Sequence, residues 1–194
     1  MNRILRAARP GHFPICWCAL LFLALLATAC ADDQSAAVRQ KLAALRGHAD
    51  PHAVDIAWPY LDSPDTSVRE AARLAIEAQP FNSWKQRALD EKGAWASLEA
   101  LRAFIEACPK EEAAEHSTHL LEKITNLRTD EMSEAQQLVV VQLTRAVFTR
   151  LGPLTADERS EMIEHWSHFP GPRTDRARAE VTRLVAFLEK APTR

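Results

Sequence analysis

EAARLAIEA at residues 70–78 returns as EALRAFIEA at residues 99–107, which lies 29 residues further along, with six of nine positions identical. Leu61-Asp62 and Leu89-Asp90 precede the two copies at nearly the same offset. A recurrence of this length is typical of a solenoid, in which each helix pair buries its apolar face only against its neighbours. Chance similarity of two helices rich in alanine and glutamate is the alternative. The repeat predicts an all-α chain, built as a short α-solenoid of antiparallel helix pairs.

The composition supports this class of fold. The 194 residues are 47% hydrophobic and 26% charged, as in an ordinary globular domain. Only 5 glycines and 7% aromatic residues occur, and both figures favour helix over strand. The first thirty residues hold three of the 24 basic residues and no acid, so the remainder carries 21 basic against 26 acidic side chains, a net charge of −5. This acidic balance argues against a nucleic-acid partner.

Apolar residues spaced three and four apart predict about nine helices. Pro59 lies inside the second and should kink it, while Asp50 before Pro51 should cap its start. Thr155 and Glu158 predict a capping box, in which each side chain bonds the other residue's backbone N–H. The predicted helices are 35–46, 51–61, 66–79, 82–91, 94–107, 111–127, 132–151, 156–168 and 174–190.

Residues 61–72, LDSPDTSVREAA, resemble the signature of the HEAT repeat family: an acidic turn, then Val-Arg, then small residues. The resemblance implies a HEAT-like superhelix over residues 35–194. Alanines would let the paired helices approach, and valine would fill the core. We expect Arg69 and Arg73 to pair with Asp62, Asp65 or Glu77. The signature residues are Asp62, Asp65, Val68, Arg69 and Ala72.

A narrower resemblance covers roughly residues 50–190. This segment resembles the HEAT-like region of large secreted proteins from planctomycete-type bacteria. Those proteins commonly continue into a haem domain carrying Cys-x-x-Cys-His. This chain lacks that motif, so haem attachment does not carry over and we predict no cofactor. The matching positions are 60–77, Pro80, Trp84, Ala88, Leu89, 150–152, Phe169, Pro170 and 184–188.

The N-terminus has the pattern of a secretory signal, with three arginines followed by an apolar run at residues 15–27. That run is too short to be a comfortable membrane-spanning helix, which needs about 20 apolar residues. Ala27-Thr28-Ala29-Cys30 resembles the lipobox of bacterial lipoproteins. The resemblance implies a signal peptide over 1–29, lipidation of Cys30 and a short tether over 30–34. An ordinary signal peptide cleaved after Ala29, or an uncleaved anchor, is the alternative.

Lipidation would tether the domain to the membrane of the bacterial cell envelope. Ala31, rather than Asp, follows the cysteine, and in lipoproteins this favours the outer membrane, facing the periplasm. After processing, Cys108 is the single remaining thiol, so no internal disulfide can form. Helical spacing from Leu98, Leu101 and Ile105 favours a buried, inert Cys108 over a reactive one.

Candidate chemistry is sparse. His116 and His119 lie three apart on one predicted helix and could supply half a zinc site. His116 also falls on that helix's apolar stripe, however, so we expect a core histidine and no bound metal. The chain has no Gly-rich phosphate loop, nucleophile elbow or His-Glu-x-x-His, so we predict no enzyme activity. Packing is the expected role of the tryptophans at positions 58, 84, 95 and 166.

These observations predict a membrane-tethered, non-catalytic protein-interaction module or scaffold in the periplasm, binding an unidentified protein on the concave face of the solenoid. One alternative is an accessory subunit of a periplasmic redox or haem-protein complex. The proteins that this chain resembles suggest it, because their repeat region is commonly followed by a haem domain. A small-ligand or metal carrier is another, and it depends on the histidines and tryptophans alone.

Overall fold

A computed structural model describes residues 33–169 and 174–194. The chain divides into two compact units, Met1–Val38 and Arg39–Arg194. Of the first unit, residues 33–38 are described, and they are helical. The predicted signal peptide, Cys30 and residues 31–32 of the tether lie outside the described residues. Helix bounds are given below for all described residues, and contacts and sites for the second unit alone.

Within the described residues the chain is all-α and contains no strand, which confirms the predicted class. Its helices are α1 (33–44), α2 (Ala53–Ala57), α3 (Thr66–Glu77), α4 (Lys85–Asp90), α5 (Ala94–Ala107), α6 (Ala113–Thr125), α7 (Glu134–Ala146), α8 (Ala156–Ser167) and α9 (Asp175–Lys190). Short 3-10 turns cover Leu45–Gly47, Trp58–Asp62, Phe81–Ser83 and Thr129–Glu131, and a π-helical turn covers Val147–Leu151.

Contacts between helices follow the order of the chain. Helix α3 packs on α2 and its 3-10 extension, α5 packs on α4, and α9 packs on α8. Helix α6 contacts α7 and the π turn that continues it. A second set of contacts joins α3 to α5, α5 to α7 and α7 to α9. Each of these helices therefore packs on a partner close in sequence and also on the next helix of the series.

Small residues line the first of these successive contacts. Ala72 and Ala75 of α3, like Ala100 and Ala103 of α5, are at most 1% exposed. Alanine side chains let two helix axes approach closely, and they incur no rotamer entropy on burial. The spacing of alanines that predicted the helices therefore also explains why α3 and α5 can pack tightly.

The structure differs most from the predicted helices at the second of them, 51–61. Helix α2 begins only at Ala53 and ends at Ala57, after which the chain tightens into the 3-10 turn that contains Pro59. Proline has no N–H and cannot make the α-helical bond to residue i−4, so the α-helix ends and the chain continues as a 3-10 turn. Asp50 does not cap α2 directly, because its Oδ1 accepts the N–H of His52, 2.8 Å away.

Several other boundaries also shift. The predicted helix 132–151 is α7 followed by the wider π turn, and 82–91 splits into the turn Phe81–Ser83 and the short α4. The predicted 35–46 is already helical at residue 33, and 111–127 shortens to α6. The Thr155 capping box is confirmed, with Glu158 Oε2 accepting the Thr155 N–H at 2.8 Å. Helix α5 has its predicted bounds.

Candidate functional site

Four charged side chains meet where α3 packs on α5, forming the α3–α5 ionic cluster (Arg69, Arg73, Glu77 and Glu99). The Oε atoms of Glu99 lie 3.5 Å from Nε of Arg69 and 3.5 Å from Nε of Arg73. Arg73 also pairs with Glu77 one turn later. All four side chains are at most 17% exposed. Buried charges are costly unless they are paired. The Glu99 carboxylate is the paired charge that α5 presents to both arginines of α3, although neither Nε makes a hydrogen bond.

The structure separates the predicted repeat-signature residues into different roles. Asp65 caps α3, since its Oδ1 accepts the Ser67 N–H at 2.8 Å. Asp62 instead caps α5, with its Oδ1 2.8 Å from the N of Trp95. The predicted Arg73–Glu77 pair is confirmed.

Arg69 has a different partner from those predicted. It forms its ion pair with Glu99, thirty residues along the chain, and donates from NH1 to the carbonyl oxygen of Ser63 at 2.7 Å. Its guanidinium also lies 3.8 Å from the centroid of the Trp95 ring. Arg69 therefore joins the start of α3 to α5. Val68 and Ala72 are buried, as the resemblance implies.

Packing was predicted for all four tryptophans, and three of them are buried. Trp84 and Trp166 are 1% exposed, and Trp58 is 5% exposed with its Nε1 donating to Glu91 Oε2 at 2.6 Å. Trp95 is only partly buried and is covered on one face by Arg69.

The two candidate metal-binding histidines have different surroundings. The ring of His116 packs edge-on against Phe104, 5.1 Å between centroids, and its Nε2 lies 3.2 Å from Glu112 Oε2. His119 is exposed. Across residues 33–169 and 174–194, no three His, Cys, Asp or Glu side chains are grouped so as to hold a metal ion. His116 thus has the aromatic contacts and polar partner of a core histidine.

Cys108 is the C-cap residue that follows α5, and it is partly exposed, so the prediction of a buried thiol is wrong. Burial, followed by the nearby charge of Glu112, nevertheless raises the pKa of Cys108 to about 11. At neutral pH the group is therefore a protonated thiol, and the thiolate is the nucleophilic form. The raised pKa favours the inert behaviour that the sequence predicts.

Alkylation of Cys108 should consequently be slow. At pH 8 we expect iodoacetamide to modify it about a hundredfold more slowly in the folded chain than in urea, where its pKa returns towards 9.0. The rate should still rise through pH 10. Mass spectrometry of the peptide containing Cys108 isolates it from the other cysteines. Equal rates in the folded and unfolded chains would contradict this account.

Two surface depressions flank α6 and share Lys123 and Asn126. One, of about 540 Å³, lies between α4 and α6 and is bordered by His116 and His119. The other, of about 410 Å³, we name the Lys123 cavity. Its lining comes from the turn between α4 and α5, the first turn of α5, the end of α6, the connection from α6 to α7 and the start of α7. The lining residues are Glu91, Lys92, Ala94, Ser97, Lys123, Asn126, Leu127, Arg128, Glu131, Met132 and Gln136.

Sequence reasoning missed the Lys123 cavity. The Ser133–Gln136 pair has the capping-box spacing that is readable from the sequence, and the structure contains that box. The approach of Gln136 to Lys123 depends on tertiary packing, which no local pattern encodes.

No family model, curated protein or solved structure matches this chain. Among the described helices, none is both long enough and apolar enough to cross a membrane. The class that the fold supports is therefore an all-α protein.

Proposed function

We propose that the chain is a membrane-tethered, non-catalytic HEAT-like repeat lipoprotein that acts as a protein-interaction module or scaffold in the periplasm. The supporting observation is the succession of contacts from α3 to α5, α7 and α9, each helix also packing on a partner close in sequence. Arrays of this kind stack antiparallel pairs into a superhelix whose curvature presents an extended binding face.

The chemistry of the described side chains favours binding over catalysis. The thiol of Cys108 is protonated at neutral pH, and the carboxylates of Glu77 and Glu99 are held in the ionic cluster. Polar side chains with free hydrogen-bonding capacity, by contrast, border open depressions. Arg102 and Gln142 are exposed and line a depression where α5 meets α7. This inter-helix surface is our candidate for the concave face.

The partner-binding test uses a charge reversal on that surface. We expect Arg102→Glu to reduce capture of a cross-linked partner from membranes severalfold, because Arg102 is exposed and has no ion pair within the described part of the chain. Lys110→Glu, on the connection between α5 and α6, makes the same charge change and should leave capture intact. If capture is insensitive to Arg102→Glu, or depends on Lys110, this face is not the binding surface.

The proposed tether rests on the lipobox-like sequence at Cys30. In a Gram-negative host, the chain should incorporate an alkyne-labelled palmitate and fractionate with outer membranes, because several acyl chains make attachment effectively permanent. Cys30→Ser should abolish both labelling and membrane association. Cys16→Ser and Cys18→Ser, which change cysteines of the predicted signal peptide, should retain them. Label on Cys30→Ser would refute the assignment.

A further inference from the structure

The Lys123 cavity contains hydrogen-bond donors without partners. Lys123 donates one bond, from Nζ to the carbonyl oxygen of Glu91 at 3.2 Å, and an ammonium group has three donors. No carboxylate in the described segments forms an ion pair with Lys123. Two of its N–H groups therefore remain for a ligand in the cavity.

The side chain of Gln136 supplies a second donor, and its orientation is determined by its partners. The backbone N–H of Ser133 can only donate, and it lies 2.9 Å from Gln136 Oε1. The amide oxygen must therefore face Ser133, which leaves Nε2 with no acceptor among residues 33–169 and 174–194. Gln136 is only 7% exposed. The Nε2 atom itself is not fully buried, so an acceptor on a ligand in the cavity can reach it.

The two acids of the cavity already have partners. Glu91 Oε1 accepts the N–H groups of Gly93 and Lys92 at 2.7 and 2.8 Å, and its Oε2 accepts from Trp58. Burial alone would raise the pKa of Glu91, but these hydrogen bonds outweigh it and lower the pKa. Glu131 pairs with Arg128. Both carboxylates of the cavity therefore have partners, whereas Lys123 and Gln136 each keep a donor for a ligand.

We propose that the Lys123 cavity binds a single carboxylate group, held by the Lys123 ammonium and the Gln136 amide. The lining carries three cations and two carboxylates, a net charge of +1 that suits a monoanion better than a doubly charged phosphate. Ala94, Leu127 and Met132 border the same space and would contact a short methylene stem. The group belongs to a free small acid or to a glutamate of a bound protein, and in the second case the inference rests on the proposed interaction function.

Two probes distinguish these sources: butyrate, and an end-blocked Gly-Glu-Gly peptide. Binding is followed from the side-chain N–H resonances of Gln136 in the full chain, at constant ionic strength. We expect saturable shifts with one or both probes, and none with the neutral butyramide or with phosphate. Butyrate alone would indicate a free acid, and the peptide alone a protein side chain.

Gln136→Glu is the decisive variant, because glutamate preserves the capping box but replaces the donor by an oxygen. It should weaken binding by at least about tenfold, and Lys123→Met should do the same. Gln40→Glu makes the same substitution at an exposed position of α1 and should leave binding of both probes unchanged. Unsaturable shifts with both probes, equal shifts with butyramide, or full affinity in Gln136→Glu would overturn the inference. If Arg102-dependent partner capture persisted in that case, the proposed function would stand.

Discussion

Glu99→Ala is expected to lower the free energy of unfolding by about 3–5 kcal/mol, because it leaves two buried guanidinium groups without their shared carboxylate. Arg73 would keep Glu77, but Arg69 would lose its ion-pair partner on α5. Urea unfolding followed by circular dichroism gives the free energy directly.

Two further variants separate charge from packing in the Glu99 experiment. Glu106→Ala lies two turns further along α5 and breaks only a partly exposed pair with Arg150, so we expect a loss below about 1 kcal/mol. Replacing the cluster by Arg69→Met, Arg73→Met and Glu99→Leu together should recover most of the lost stability, as apolar substitution of buried ion pairs often does. A Glu99→Ala loss no larger than that of Glu106→Ala would show that the cluster contributes little.

Phe104→Ala is expected to cost about 3–5 kcal/mol, the usual range for emptying a buried phenylalanine site. The ring is fully buried on α5. Its centroid lies 4.9 Å from that of Phe81, which precedes α4, and 5.1 Å from that of His116 on α6. One side chain therefore joins the segments before and after α5, so its loss should loosen both contacts.

Phe187→Ala is the matched control, because this ring is only partly buried on α9, and its nearest ring, that of Phe148, is 6.3 Å away. Its loss should be less than half that of Phe104→Ala in the same urea experiment. Similar losses of stability for the two variants would contradict the statement that Phe104 joins the segments before and after α5.

The local sequence pattern was sufficient to predict the bounds of a helix where the helix has a regular stripe of apolar residues and clear end signals. Helix α5 occupies its predicted residues because Gly93 and Pro109 flank an uninterrupted three-and-four spacing. At Pro59 the spacing predicted one helix with a kink, and the structure instead divides the segment into α2 and a 3-10 turn, because proline lacks the N–H of an α-helical bond. The 3-10 and π turns were not predictable either, since they depend on how the end of a helix meets its neighbour.

The sequence did not predict which residues distant along the chain pair with one another. Glu70 and Glu99 occupy the same position of the sequence repeat, yet Glu70 is exposed and Glu99 is 7% exposed. The difference arises because Glu99 faces the two arginines of α3, and a repeat does not encode which of its copies is covered. The Lys123 cavity was hidden for the same reason, since two separate segments, 91–97 and 123–136, surround it.

The proposed function requires that α3, α5, α7 and α9, whose successive contacts the structure shows in the described residues, form an open series. Spin labels at the exposed positions Glu70, Arg102, Gln142 and Ala186, in a chain whose native cysteines are replaced by serine, test this by pulsed electron paramagnetic resonance. Packed helix axes lie about 8–10 Å apart. We therefore predict that the distance from Glu70 increases at each step and reaches about 25–30 Å at Ala186. A Glu70–Ala186 distance as short as that from Glu70 to Arg102 would indicate a closed bundle and contradict the account.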